Sequence, residues 1–158
     1  MTGALDYRHV SILWAGPEHA AQLAELHKDL FEQSWDEGSV TNLLRHPGSI
    51  SFLARLGQPL QTAGFIMGQL AADEAEILSL GVRKEHQRHG IGRKLVEAMV
   101  RTARKAEARR LFLEVAESNP TAVALYERIG FAEIGRRKGY YVRAGARPED
   151  ALMLALAL

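Results

Sequence analysis

Residues 82–95 read VRKEHQRHGIGRKL and join the end of an apolar run to the start of a basic segment. The apolar run EILSLGV, at 76–82, predicts a strand, and residues 92–108 repeat apolar side chains at helical spacing. Backbone N–H groups at a helix start are unpaired and carry partial positive charge, and Gly90 and Gly92 have no Cβ atoms to block a ligand. The stretch therefore predicts a strand, an anion-binding loop and a helix.

Two common phosphate-binding motifs do not account for this loop. A Walker loop needs Gly-Lys-Ser or Gly-Lys-Thr, whereas Gly92 is followed by Arg-Lys-Leu. A Rossmann fingerprint needs a third glycine at the position of Leu95. For the three residues at 90–92 taken alone, a flexible turn without a ligand is the alternative.

Predicted strands and helices alternate along the rest of the chain. Strands are predicted at 10–14, 49–55, 62–70, 76–82, 111–116, 131–135 and 151–158, and helices after Gly16-Pro17, at 36–45, at 92–108 and from 119 to 130. The order β-α-α-β-β-β-α-β-α-β-β is typical of a mixed α/β domain without regular Rossmann alternation. No linker interrupts it, so residues 1–158 are interpreted as one domain.

Composition excludes several classes of protein. The chain is 47% hydrophobic and 25% charged, which excludes disorder as the main state. Because it has no cysteine, it has no disulfide, zinc–thiolate site, iron–sulfur cluster or cysteine nucleophile. The six histidines lack metal-ligand spacing, so no metal is predicted. No apolar run approaches the roughly 20 residues of a membrane span and no leader is recognised, which predicts a cytoplasmic protein without membrane contact.

Charge is divided unevenly between the two halves of the chain. Residues 1–80 carry 4 Lys and Arg against 10 Asp and Glu, a net charge of −6, and residues 81–158 carry 16 against 9, a net charge of +7. A basic half suits an anionic ligand and an acidic half suits a cationic one, and two solvated faces are the alternative. Nucleic-acid binding is not expected, because the basic residues cluster around a loop and a helix instead of an aromatic-studded sheet.

A longer pattern extends the loop motif in both directions. The strand at 77–82, Gln87 and the two glycines are followed by LEV at 113–115. SN at 118–119, Ala122, LY at 125–126 and GF at 130–131 then complete the pattern. With these motifs the chain resembles the GNAT superfamily of N-acetyltransferases, and within it the bacterial ribosomal-protein-alanine N-acetyltransferases. The resemblance implies an α/β fold with a mostly antiparallel central sheet, splayed between its fourth and fifth strands and flanked by about four helices.

The resemblance also implies acetyl-CoA as cosubstrate, attacked directly by an amine without a covalent acyl-enzyme. Glu114 would be the general base, and Tyr126 the general acid for the departing thiolate. From the residues alone, a solvent-facing Glu114 and a core Tyr126 are the alternatives. The residues implied to hold the cofactor are Leu80, Gly81, Val82, Gln87, Arg88, His89, Gly90, Ile91, Gly92, Arg93, Asn119 and Tyr126.

The resemblance also implies structural effects of two glycines. The family has a β-bulge that opens the fourth strand, and Gly81 is expected to tolerate it. Gly139 stands where relatives often carry a side chain such as Asn, so a looser loop over the acceptor is expected.

Three aromatic residues are implied to bind the acceptor, the molecule that receives the acetyl group. Trp35, Tyr140 and Tyr141 resemble those that frame a peptide N-terminus in this branch, with a core tryptophan as the alternative. The implied acceptor is a protein N-terminus, specifically the alanine of a basic small-subunit ribosomal protein. Acetylation of lysine or of a small amine, and a non-catalytic CoA-binding module, are the alternative functions. A monomer or weak dimer is expected.

Overall fold

The computed structural model describes residues 4–142 and 144–158. Within them the elements follow in the predicted order: β1 (Ser11–Trp14), α1 (Ala20–Leu30), α2 (Glu37–Arg45), β2 (Ser49–Leu56), β3 (Gln61–Ala71), β4 (Glu74–Val82), α3 (Ile91–Lys105), β5 (Arg110–Ala116), α4 (Pro120–Ile129), β6 (Ala132–Tyr141) and β7 (Glu149–Ala157). Two short 3-10 turns, Pro17–His19 and Lys84–His86, precede α1 and α3.

The strands form one sheet in the order β1-β2-β3-β4-β5-β7-β6. Every neighbouring pair is antiparallel except β4 and β5, which are parallel. These two strands pair only from Glu74 and Arg110 to Ile77 and Leu113. Beyond that point β4 continues through residues 78–82 and β5 through 114–116 without pairing to each other, and we call the space between them the gap. The predicted splayed, mostly antiparallel sheet is confirmed.

Two apolar clusters cover the two faces of the sheet. Side chains of α3 and α4 pack with Ile66, Ile77, Leu111 and Leu113 on one face. Side chains of α1 and α2 pack with Leu53, Phe65 and Met67 on the other face. Successive side chains of a strand point to opposite faces, which is why Phe65 and Ile66 belong to different clusters. The gap therefore has helices on both of its sides.

Polar side chains and glycines set the helix ends. Asp36 caps α2 by accepting a hydrogen bond from the Ser39 backbone N–H at 2.7 Å, as the sequence indicates. Gly90, with φ of +80°, precedes α3, so this helix begins at Ile91, one residue earlier than predicted. It ends at Lys105 and not at residue 108, because the chain turns at Glu107, where φ is +61°.

The strand β6 is longer than the predicted 131–135, because it pairs with β7 along most of its length. The pairing is irregular between Arg137 and Tyr141, where Gly139 has a φ of +62°. The Gly139 N–H donates to Asp150 Oδ1 at 2.9 Å, and Arg136 pairs with Asp150 at 3.0 Å. This segment is therefore tied to β7 by a backbone hydrogen bond and an ion pair, and the looser loop over the acceptor stays an expectation.

The bulge in β4 lies earlier than expected. The β3–β4 register shifts between Met67, opposite Ser79, and Gly68, opposite Ile77, so Leu78 is the extra residue. Gly81 pairs regularly with Phe65. A Cβ at Gly81 would lie 2.7 Å from Phe65 Cε1 and 2.9 Å from Leu30 Cδ1. The absence of a side chain at Gly81 thus serves close packing of α1 and β3, and the expectation that it accommodates the bulge is wrong.

Candidate active site

The end of β4 presents backbone hydrogen-bonding groups to the gap. The Arg83 N–H donates to the Ala63 carbonyl at 2.7 Å, on the β3 side. Backbone groups alternate along a strand, so Val82 and Leu80 direct their N–H and C=O groups to the opposite side, toward the gap. This is an open strand edge that an extended ligand can join. The backbone groups of Leu80 and the N–H of Val82 therefore face the gap, and their pairing with a cofactor stays a prediction.

The loop after β4 is held by a side chain and by two left-handed residues. Gln87 Nε2 donates to the Val82 carbonyl at 2.9 Å, which fastens the loop to the strand end. Arg88 and Gly90 have φ of +66° and +80°. A left-handed non-glycine residue costs about 1 kcal/mol, so the backbone at Arg88 is strained. Such strain is common where a loop is shaped for a ligand.

The start of α3 offers unpaired donors beside the gap. The first backbone hydrogen bond inside the helix runs from Lys94 N to Gly90 O at 3.1 Å, and no side chain caps the helix. The N–H groups of residues 91–93 thus have no acceptor within the helix. A Cβ on Gly92 would lie 3.3 Å from Leu125 Cδ2 and 3.9 Å from Val82 Cγ2, so this helix start lies against both β4 and α4. Its donors and dipole favour an anion.

Two charged or aromatic side chains at this loop have partners within the protein. The Arg93 guanidinium pairs with Glu97 at 2.7 Å, so Arg93 offers the loop its backbone N–H. The His89 ring stacks on Tyr7 with centroids 3.7 Å apart and planes 3° from parallel. Tyr7 also joins its hydroxyl to His86 Nδ1 at 3.0 Å. Sequence reasoning missed Tyr7, because no local pattern links it to a loop nearly 80 residues away.

Glu114 lies where β5 leaves β4. Its neighbours Leu113 and Val115 pack in the α3–α4 cluster, so its side chain lies on the α1–α2 face. The side chain is 20% exposed, and its Oε1 forms an ion pair with Arg137 Nε at 3.1 Å. The Arg137 guanidinium carbon lies 5.2 Å from the centre of the Tyr140 ring. The predicted base is therefore a partly buried carboxylate, and its cationic partner is an arginine of β6.

Further polar side chains gather around Glu114. Burial raises the pKa of Glu76, and the Glu114 carboxylate raises it further. Burial followed by the Glu114 charge also raises the pKa of Tyr141, whose ring centroid lies 5.2 Å from that of Tyr140. Tyr141 thus lies within the electrostatic influence of Glu114, and Tyr140 is linked to it through Arg137; their acceptor role stays a prediction. Sequence reasoning missed Glu76 and Arg137. Side chains alternate along both strands, and Glu76 pairs with Phe112 on the same face as Glu114. This alternation could have indicated Glu76.

Tyr126 lies on the opposite face of the sheet from Glu114. It lies on α4 in the α3–α4 cluster, is 4% exposed, and meets Phe131 edge to face with centroids 5.3 Å apart. Burial raises the pKa of its hydroxyl, with no hydrogen bond or charge from the described residues contributing. The hydroxyl therefore stays protonated near neutral pH and is available as a donor.

The remaining predicted residues divide between capping and packing. Asn119 Oδ1 accepts from the Ala122 N–H at 3.2 Å, which leaves the side-chain amide nitrogen available for another partner. Trp35 packs against the α1–α2 cluster, and its backbone N–H donates to His27 Nδ1 at 3.2 Å. Among residues 4–142 and 144–158, no ring contact joins Trp35 to Tyr140 or Tyr141.

The described residues contain neither a metal-binding cluster nor a membrane-spanning helix. In residues 4–142 and 144–158, no three His, Asp or Glu side chains are grouped to hold a metal ion. In the same residues, no helix is both long and apolar enough to cross a membrane.

The site and fold define a class of acyltransferase. A sheet parted between parallel strands exposes a strand edge and an uncapped helix start, which suit the amide arm and the phosphates of coenzyme A. The chain belongs to the acetyltransferase (GNAT) family, whose model matches residues 20–131. The protein is an N-acetyltransferase that uses acetyl-CoA.

Individual relatives narrow the comparison. The [ribosomal protein bS18]-alanine N-acetyltransferase of Escherichia coli K12 is 38% identical over 104 residues, which cover 66% of this chain and 70% of that protein. The N-alpha-acetyltransferase RimI of Mycobacterium tuberculosis is 33% identical over 131 residues, covering 80% and 81%. The crystal structure of the ribosomal-protein-S18-alanine N-acetyltransferase from Escherichia coli superposes with a TM-score of 0.83 at 28% identity, covering 94% of each chain.

Proposed function

We propose that this enzyme acetylates the N-terminal α-amino group of a protein, and that the acceptor is the N-terminal alanine of ribosomal protein S18. The choice of acceptor rests on the 38% identity to a bS18-alanine N-acetyltransferase over 70% of its length. The acidic first half of the chain suits a basic peptide. Trp35, Tyr140 and Tyr141 are the proposed acceptor contacts.

Glu114 is the proposed general base. Its carboxylate lies at the gap and pairs with Arg137 Nε at 3.1 Å. The Arg137 side chain is half-exposed. An incoming ammonium group can take the place of the guanidinium, because both are cations that hydrogen-bond to a carboxylate. Glu114 then removes a proton from the ammonium, directly or through water, and the neutral nitrogen attacks the thioester carbonyl.

Val82 and Tyr126 are proposed to stabilise the charges that follow. The attack forms a C–N bond and places negative charge on the carbonyl oxygen, to which the Val82 N–H at the gap can donate a hydrogen bond. When the C–S bond breaks, the Tyr126 hydroxyl donates its proton to the departing sulfur, and the nitrogen, cationic after the attack, gives its extra proton to the tyrosinate or to water. Because burial makes a tyrosinate costly, the proton moves only as charge develops on sulfur.

The energetics of the amine support an α-amino acceptor. An α-amino group has a pKa of roughly 7.7–8.0 and lysine a pKa of about 10.4, so neutral lysine costs roughly 3–4 kcal/mol more at pH 7. One carboxylate therefore deprotonates an α-ammonium with less difficulty than a lysine ammonium.

The proposal predicts which of two peptides is acetylated. Both have the same basic sequence; one has a free N-terminal alanine and no lysine, and the other has a blocked N-terminus and one lysine. We expect CoA release with the first peptide at least about tenfold faster than with the second, because of the difference in amine pKa. Mass spectrometry of the product, with a chain carrying Glu114→Gln as the blank, locates the acetyl group.

The opposite preference would reassign the enzyme to lysine. Turnover of neither peptide, with acetyl-CoA still bound tightly, would contradict the proposal and favour a small amine or a non-catalytic CoA-binding role. The matched control is the first peptide with its N-terminal alanine replaced by proline. This control tests whether the reaction depends on a primary amine.

Tyr126→Phe tests the acid separately from the fold. We expect kcat to fall by about tenfold to 100-fold, as for other general acids. The thermal midpoint should not fall, because the aromatic ring stays in its cluster and no hydrogen bond to the described residues contributes at the hydroxyl. Steady-state kinetics and thermal unfolding measure the two quantities. Unchanged kcat in a folded variant would refute the acid role, and Tyr140→Phe is the control for a tyrosine at the acceptor side.

A further inference from the structure

One buried histidine lies between the acceptor side and the cofactor side and has no role in the proposed chemistry. His27 is in the last turn of α1 and is 3% exposed. Its ring lies against Phe31, Trp35 and Phe65, with centroids 4.4, 5.9 and 5.7 Å away. A polar ring in such surroundings is costly unless both of its nitrogens have partners.

Both nitrogens of His27 have partners, and they belong to different parts of the site. Nδ1 accepts from the Trp35 backbone N–H at 3.2 Å, and Nε2 lies 3.0 Å from Ser79 Oγ. Because Nδ1 is an acceptor, the proton of the neutral ring is on Nε2, which therefore donates to Ser79. Burial lowers the pKa of His27, which favours this neutral ring.

The two partners are positions where the site depends on backbone placement. Trp35 ends the segment 31–35 that connects α1 to the N-cap of α2 and carries a proposed acceptor contact. Ser79 lies in the part of β4 that borders the gap, directly before Leu80. Leu30 of the same helix also packs against this strand, because it is among the nearest atoms to a Cβ built on Gly81. The end of α1 is thus joined to β4 by packing and by the histidine.

We propose that His27 is a positioning residue that fixes the segment 31–35 to β4 and thereby sets the affinity for the acceptor peptide. The inference rests on the proposed function only in naming a peptide as acceptor. Removing the Nδ1 acceptor releases the Trp35 N–H and frees the segment to move, while the strand edge and helix start that hold acetyl-CoA keep their own hydrogen bonds. The effect should therefore fall on the acceptor and not on the cofactor.

Three variants separate the contacts of His27. His27→Leu removes both hydrogen bonds and keeps an apolar side chain in the cluster. His27→Asn places Oδ1 the same number of bonds from the backbone as Nδ1, so it keeps the acceptor for Trp35 and loses the bond to Ser79. His46→Leu is the matched control, because His46 Nδ1 also accepts a backbone N–H, that of Gly48 at 2.9 Å, at the end of α2.

We expect His27→Leu to raise the KM for the alanine peptide by about five- to tenfold, the usual worth of one lost hydrogen bond. The KM for acetyl-CoA and kcat should stay within about twofold, and His27→Asn should recover most of the peptide KM. Hydrogen exchange at residues 31–35 should accelerate in His27→Leu, but in neither His27→Asn nor His46→Leu.

An equal rise in both KM values, no change in peptide KM, or no recovery in His27→Asn would overturn the proposal. The exchange measurement needs no acceptor, so it tests the tether even if the peptide proves not to be the substrate. Unchanged exchange at residues 31–35 in a folded His27→Leu chain would therefore reject the tether independently of the proposed function.

Discussion

Replacing Glu114 by glutamine is expected to lower kcat by about 100-fold or more, the usual loss when a general base is removed. The amide keeps the shape of the side chain but cannot take a proton from the acceptor. Acetyl-CoA affinity should change little, because the strand edge of β4 and the start of α3 do not involve this side chain. Steady-state kinetics and isothermal titration with acetyl-CoA measure the two effects.

The stability of the Glu114→Gln chain should fall by about 1 kcal/mol or less, because the lost ion pair with Arg137 is partly exposed. Glu127→Gln, an exposed position on α4, is the matched control and should leave kcat unchanged. Arg137→Gln removes the cationic partner and keeps the carboxylate, so its loss of kcat should be smaller. A kcat within about threefold of the unaltered enzyme in Glu114→Gln would refute the base role.

Replacing Gly90 by glutamate is expected to weaken acetyl-CoA binding by about 100-fold or more, since strain and charge act together. Gly90 has a φ of +80°, a backbone conformation that L side chains rarely adopt. The new carboxylate would also stand beside the unpaired N–H groups at residues 91–93, where it competes with a phosphate for the helix start. Titration of acetyl-CoA measures the affinity.

Gly145→Glu is the matched control for the Gly90 variant. Gly145 also has a positive φ, of +77°, and a Cβ there meets no atom within 4 Å, as at Gly90. It lies in the turn before β7 and outside residues 87–93, so the same strain and charge are introduced at a different turn. Gly90→Ala keeps the strain without the charge and should lose less affinity. Equal acetyl-CoA affinity in Gly90→Glu and Gly145→Glu would reject the loop as the phosphate site.

Local patterns predicted the element order, because they depend on residues close together in sequence. Capping by Asp36 and Asn119, the left-handed Gly130 and the alternation of β5 are each visible within about five residues. The ends of α3 and β6 were less well predicted. The length of β6 depends on β7, a partner that periodicity does not specify.

The position of the bulge in β4 could not be predicted from local sequence either. A glycine in a strand indicates either a bulge or a close approach, and local sequence does not distinguish the two. The contacts of Phe65 and Leu30 show that Gly81 serves close approach, and the register with β3 puts the extra residue at Leu78. Neither contact involves a residue near Gly81 in sequence.

By itself, the sequence determined the family and the candidate acid and base, because these are carried by short motifs whose spacing is readable along the chain. The tertiary structure decided how the parts meet. It placed Glu114 where β5 parts from β4, and Tyr126 on the opposite face of the sheet. It also brought Arg137 to Glu114, Tyr7 to His89 and His27 to Ser79. These contacts join residues 23 to 82 positions apart, and side-chain periodicity specifies the face on which a residue lies but not the partner it meets there.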